Sequence, residues 1–82
     1  MEVLEVQEKV IPQIKKLINK VPESISFLEK NQDGWTVHCD VLEKKSVPET
    51  YDLLKILEFK LDKNANVTSF KQLRKVRRGD LG

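Results

Sequence analysis

The chain has 82 residues, 39% hydrophobic and 34% charged, with a formal net charge of +2. That length makes one small domain with a modest core, burying roughly 60% of its unfolded surface, and a bulk charge this small points to no class of partner. A single cysteine, Cys39, excludes an intrachain disulfide and suits a reducing cytosol. The start, Met1-Glu2-Val3-Leu4-Glu5, lacks the basic region of a signal peptide. No apolar run approaches the ~18 residues of a membrane span. These features predict a cytoplasmic protein without a membrane segment.

From Glu2 to Lys20, apolar residues fall at Val3, Val10 and Leu17 and at Leu4, Ile11, Ile14, Ile18 and Val21. Spacings of three, four and seven predict a helix over residues 2–20. Acidic residues lead and basic residues trail, which suits the helix dipole. Pro12 either kinks this helix or sits in its first turn, and Pro22 ends it.

Residues 24–31 alternate as a strand, with Ile25 and Phe27 expected on one face. Asn31-Gln32-Asp33-Gly34 is a hairpin signal. A second strand over 34–45 then points Trp35, Val37, Cys39 and Val41 one way and Thr36, His38, Asp40 and Leu42 the other. Glu43 to Glu49 is polar, and Pro48 marks a bend. A third strand is expected over 51–62, where Leu57, Phe59 and Leu61 alternate with Glu58 and Lys60. Asp62 to Asn66 forms the next turn. A last strand spans 67–77 and ends in charge, followed by a frayed tail over 79–82. The economical fold is α+β: one N-terminal helix packed on a four-stranded antiparallel meander sheet, in two layers and a single domain over residues 1–82.

Charge is unevenly distributed. Residues 1–70 hold 10 Lys/Arg and 12 Asp/Glu, while residues 71–82 hold 5 Lys/Arg and 1 Asp. The basic excess is therefore C-terminal. On a regular strand, Lys71, Lys75 and Arg77 share one face and Arg74 and Arg78 the other. Such a strand can be a charged edge that resists aggregation, a site for an acidic protein, or a nucleic-acid contact. Only Phe70 and Tyr51 lie near for base stacking, fewer than a sheet-based RNA binder presents.

No constellation carries catalysis. His38 and Cys39 are neighbours on a strand, so they face opposite ways and form neither a nucleophile–base pair nor a zinc site. Cys39 reads as a small buried apolar residue, and Trp35 as a core anchor under the helix. Glu43, Glu49, Asp52, Glu58 and Asp62 read as a solvated face. The sequence assigns no catalytic, cofactor or metal residues.

In order, Gly34-Trp35, the acidic Glu43, Val47-Pro48, Asp52-Leu53, Leu57-Glu58-Phe59 with Leu61-Asp62, and Arg74 with Arg77-Arg78 resemble the gas vesicle protein O family, the accessory proteins of gas vesicle synthesis. The resemblance spans about residues 24–78. The chain departs from the pattern at Ser46, where the family often has Arg, and at Leu57 and Val76, where it has Tyr. The resemblance implies a cytoplasmic, non-enzymatic assembly factor that contacts other gas vesicle accessory or shell proteins. Arg74, Lys75, Arg77 and Arg78 with Glu43, Tyr51 and Asp52 are the expected partner-binding residues. A small nucleic-acid-binding or regulatory protein is the alternative, and the edge strands also permit a homo-oligomer.

Overall fold

The computed structural model describes residues 2–80. Helix α1 spans Val3–Ile18; strands β1 (Ser24–Asn31), β2 (Gly34–Lys44), β3 (Leu53–Leu61) and β4 (Val67–Arg77) follow. The strands form one antiparallel sheet in the order β1-β2-β3-β4. The helix buries its apolar row on one face of that meander, giving the two-layer α+β arrangement.

Glu2 begins the helix: its carbonyl accepts from the Val6 N–H at 3.1 Å, and its own N–H donates to Glu5 Oε1 at 3.2 Å. That return bond is half of a capping box. Asn19, at φ 58°, closes the helix in the left-handed conformation that asparagine tolerates. Pro12 lies well inside the helix rather than in its first turn. It stands on the exposed side, where the carbonyl that loses its partner faces water.

The buried row is Val6, Val10 and Ile14, with Ile18 packed beside them. Val6 was absent from the expected stripe, while Val3, Leu4, Ile11, Leu17 and Val21 remain exposed. One sheet face is narrower than the stripe, so the helix seats its strict i, i+4 row and leaves the flanking positions outside.

Trp35, Val37, Cys39 and Val41 meet that row from β2, and Leu57, Phe59 and Leu61 meet it from β3. Trp35 is a core anchor, as its phase predicted. Burial, with the neighbouring Asp40 charge, pushes the Cys39 thiol up to about 12, which leaves it an inert apolar group.

Bulges overturn several face assignments. Ile25 pairs with Cys39 but Phe27 pairs with His38, so the extra residue Ser26 puts Ile25 and Phe27 on opposite faces. In β4 the irregularity between the Leu57↔Gln72 and Ile56↔Arg74 pairs does the same. Lys71 and Arg74 share the face away from the helix, whereas Lys75 and Arg77 share the helix side. Tyr51 lies in a 3-10 turn over Glu49–Tyr51 instead of β3, its N–H donating to the Pro48 carbonyl at 3.0 Å, so pairing begins only at Leu53. Gly79 and Asp80, where fraying was expected, form a 3-10 turn with Arg78; the Arg78 N–H donates to the Asp52 carbonyl at 2.8 Å. The rest of that expected tail, Leu81 and Gly82, lies outside the described residues.

The β3–β4 turn fixes the helix. Asp62 Oδ1 accepts from the N–H groups of Asn64 and Asn66 at 2.9 and 3.0 Å, which holds its carboxyl below the ordinary range. Gln13 then donates to the Ala65 carbonyl and accepts from the Val67 N–H, each at 2.8 Å.

Candidate functional site

The bend after β2 and the end of β4 come together around one carboxylate. Asp52 is 2% exposed. Its Oδ1 accepts from the Ser46 N–H at 2.7 Å, and its Oδ2 accepts from Arg78 Nε and Nη2 at 3.2 and 3.1 Å. Arg78 Nη1 reaches on to Glu23 Oε2 at 2.8 Å. Glu23 precedes β1 and Arg78 follows β4, so a single guanidinium ties the two outermost strands across the end of the sheet. The Ser46 N–H, then Arg78, hold the Asp52 carboxyl below the ordinary range, while Glu23 and Asp52 keep Arg78 firmly protonated. Arg77 Nη1 adds a 2.8 Å bond to the Tyr51 carbonyl.

A second cluster sits on the helix side. Glu43 is the extra residue of a bulge between Leu42 and Lys44. Its Oε1 receives Lys75 at 3.0 Å and Lys55 at 3.3 Å, and Lys75 is the chief cause of its lowered pKa. Its Oε2 is buried with no partner.

A third cluster lies on the face away from the helix. His38 Nε2 meets Glu58 Oε2 at 2.8 Å, its ring 4.7 Å from that of Phe27. Lys60 and Lys71 approach the other Glu58 oxygen at 3.8 and 3.9 Å. His38 foremost, then these lysines, hold the Glu58 carboxyl low.

The expected partner-binding residues therefore divide. Asp52, Arg78 and Glu43 are bound up in contacts within the chain. Tyr51 and Arg74 present their side chains outward, and Lys75 and Arg77 are exposed despite their internal contacts. Among the described residues Val47 is the most open large apolar side chain, at 97% exposure, and Tyr51, four positions along the chain, is 56% exposed. Sequence reading missed the roles of Glu23, Ser46 and Lys55: Glu23 meets Arg78 from the other edge of the sheet, Lys55 meets Glu43 across the bend, and Ser46 offers only its backbone N–H, so none leaves a local periodicity. Among the described residues no group of His, Cys, Asp or Glu is arranged to hold a metal ion, and no helix is long and apolar enough to cross a membrane.

The family model for gas vesicle synthesis protein GvpO matches residues 1–82. The chain belongs to that family. Gas vesicle protein O of a Streptomyces species is 36% identical over 67 residues, covering 82% of this chain and 52% of that protein. Gas vesicle protein O1 of Halobacterium salinarum is 38% identical over 59 residues, covering 72% and 50%. Gas vesicle protein O of Haloferax mediterranei is 35% identical over 68 residues, covering 82% and 49%. The chain thus spans about half the length of the curated relatives it matches. No solved structure matches it.

The acidic and basic residues of the chain's ordered series acquire physical meaning here. Asp52 closes the bend, Asp62 the β3–β4 turn, and Arg78 the sheet's end. Asp52, Glu43, Glu58 and Asp62 all sit below their ordinary values of 3.8 for Asp and 4.5 for Glu. Their stabilisation is complete above those values and is lost as pH falls through the lower folded ones. Thermal melts should show a steady loss of stability below about pH 4. Asp52→Asn should melt lower at neutral pH yet lose less on acidification; an acid response identical to the wild type would discount this linkage.

Proposed function

We propose that this chain is a non-enzymatic accessory factor of gas vesicle assembly. It acts in the cytoplasm through contacts with other gas vesicle accessory or shell proteins. The family match over residues 1–82 carries the reading. The geometry supports contact over catalysis: the acidic and basic groups of the site engage one another, and exposed Val47, Tyr51 and Arg74 are left facing outward. The same geometry weighs against nucleic acid. Phe70 stacks on Phe59 within the sheet and Tyr51 stands apart in the 3-10 turn, so no row of aromatics is presented to bases.

Deletion of the gene in its host should abolish or deform vesicles, and the wild-type gene should restore them. A Val47→Asp, Tyr51→Ala, Arg74→Glu variant, confirmed as folded by circular dichroism, should fail to restore them. Normal vesicles in the deletion strain would remove the reading. Rescue by the variant would clear these three residues of a contact role.

A further inference from the structure

On the helix side, α1 leaves a cleft of about 240 Å³ beside β4. Ile18, Val41, Leu57 and Phe70 supply its apolar walls, and Lys20, Lys55 and Gln72 line the rest. Phe70 stacks on buried Phe59 at 5.2 Å between ring centroids, yet is 46% exposed. An aromatic fixed from below and open above is a contact surface for an incoming side chain. The volume falls below that of a typical small-molecule site, about 300–1,000 Å³. It suits one or two apolar side chains.

The cleft borders an unpaired strand. β4 has 11 residues and is last in the sheet order, so its outer backbone edge can accept a further strand. Along β4, Phe70, Gln72, Lys75 and Arg77 stand opposite Phe59, Leu57, Lys55 and Leu53 on the helix side. A strand added there would set an apolar side chain against Phe70 and its next inward-facing residues against Gln72, Lys75 and Arg77. Lys55 and Lys75 share the single carboxylate oxygen Glu43 Oε1, so one positive charge is left over. Lys20 spends one N–H on the Leu42 carbonyl at 3.1 Å and retains its charge.

We infer that the outer edge of β4 and the adjoining Ile18–Phe70 cleft bind an acidic, extended segment of a partner protein, seating one of its apolar side chains on Phe70. Charge selects this occupant. A second copy pairing β4 to β4 would bring Lys71, Arg74, Lys75 and Arg77 against the same four residues, which opposes self-association. A strand with carboxylates at those positions reverses the sign of every such contact. The inference rests on the reading of the chain as a protein-contact factor. Its test uses purified protein, so it can fail while the vesicle phenotype stands.

The probe is a short capped peptide with a single leucine flanked on both sides by glutamates, so that both faces of the added strand carry carboxylates; it is titrated into the purified chain and followed by calorimetry and amide chemical shifts. Shifts should cluster over residues 70–77 and at Ile18. Replacing the peptide's glutamates with lysine should weaken binding by about tenfold or more at low salt, and replacing its leucine with alanine should weaken it too. Gln72 is exposed, so its charge can be changed without disturbing the core. Gln72→Glu should weaken and Gln72→Lys should strengthen binding of the glutamate peptide, each by about threefold, with melting temperatures unchanged. The inference falls if the glutamate peptide does not bind, if the lysine peptide binds as well, if the shifts map to β1, or if neither Gln72 change alters affinity. A concentration-dependent dimer, seen in sedimentation to use β4, would also overturn it.

Discussion

Gly34→Ala is expected to lower the stability of the domain by about 3 kcal/mol, at or beyond the upper end of ordinary overpacking. The obstacle is backbone. A Cβ at Gly34 would lie 2.7 Å from the Asp62 carbonyl carbon and 2.8 Å from that of Leu61, and closer still to the Leu61 carbonyl oxygen. No rotamer change relieves such contacts; the start of β2 must move away from the end of β3. That movement strains the Trp35↔Leu61 pair and the Asp62 turn on which Gln13 anchors the helix. Against a total of about 4–12 kcal/mol for a domain of this size, the loss is a large share. Urea unfolding followed by Trp35 fluorescence reads it directly, since Trp35 is 5% exposed in the core. Gly79→Ala is the control. Its nearest obstacle, the Thr50 carbonyl oxygen, lies at 3.1 Å in an exposed turn, so its cost should stay within about 1 kcal/mol. Equal midpoints for Gly34→Ala and wild type would refute the close-approach account.

That glycine shows what the chain makes legible and what it hides. The Asp33-Gly34 signal announces the hairpin, although the two-residue loop is Gln32-Asp33, neither at positive φ, and Gly34, at φ 157°, opens β2 in a conformation that favours glycine. The second reason for glycine, the passage of β3, depends on a strand 27 residues further along (Gly34 to Leu61) and leaves no local trace. The period-two pattern of β2 survives intact from Trp35 to Val41, since its pairing with β3 is unbroken there. It fails at Ser26 and again near Leu73, where single inserted residues reverse every assignment beyond them. A bulge is an event in the partner's register, so side-chain alternation in one strand does not report it. The basic end was visible as composition, and the grouping of Lys71 with Arg74 was not. Asp52 was legible as part of an ordered family pattern; its burial under Arg78 and Glu23 follows only once the two ends of the sheet meet.

Phe59→Ala should cost about 3–5 kcal/mol, the range for truncating a buried aromatic, and so consume much of the domain's stability. Phe59 is fully buried on an inner strand, opposite Val37 on one side and stacked on Phe70 on the other. The sheet cannot close over the lost ring, because β2 and β4 hold β3 at fixed spacing. Phe70→Ala removes a half-exposed ring from the same stack and should cost only about 1 kcal/mol, near the value of an aromatic pair. The two changes therefore separate scaffold from surface. Phe59→Ala should lose thermal stability and vesicle complementation together. Phe70→Ala should keep most of its stability while losing affinity for the acidic peptide. If Phe70→Ala bound the peptide with wild-type affinity, the ring would be a lid on the core and nothing more. If Phe59→Ala melted at the wild-type temperature, the core would have to be organised about a different residue.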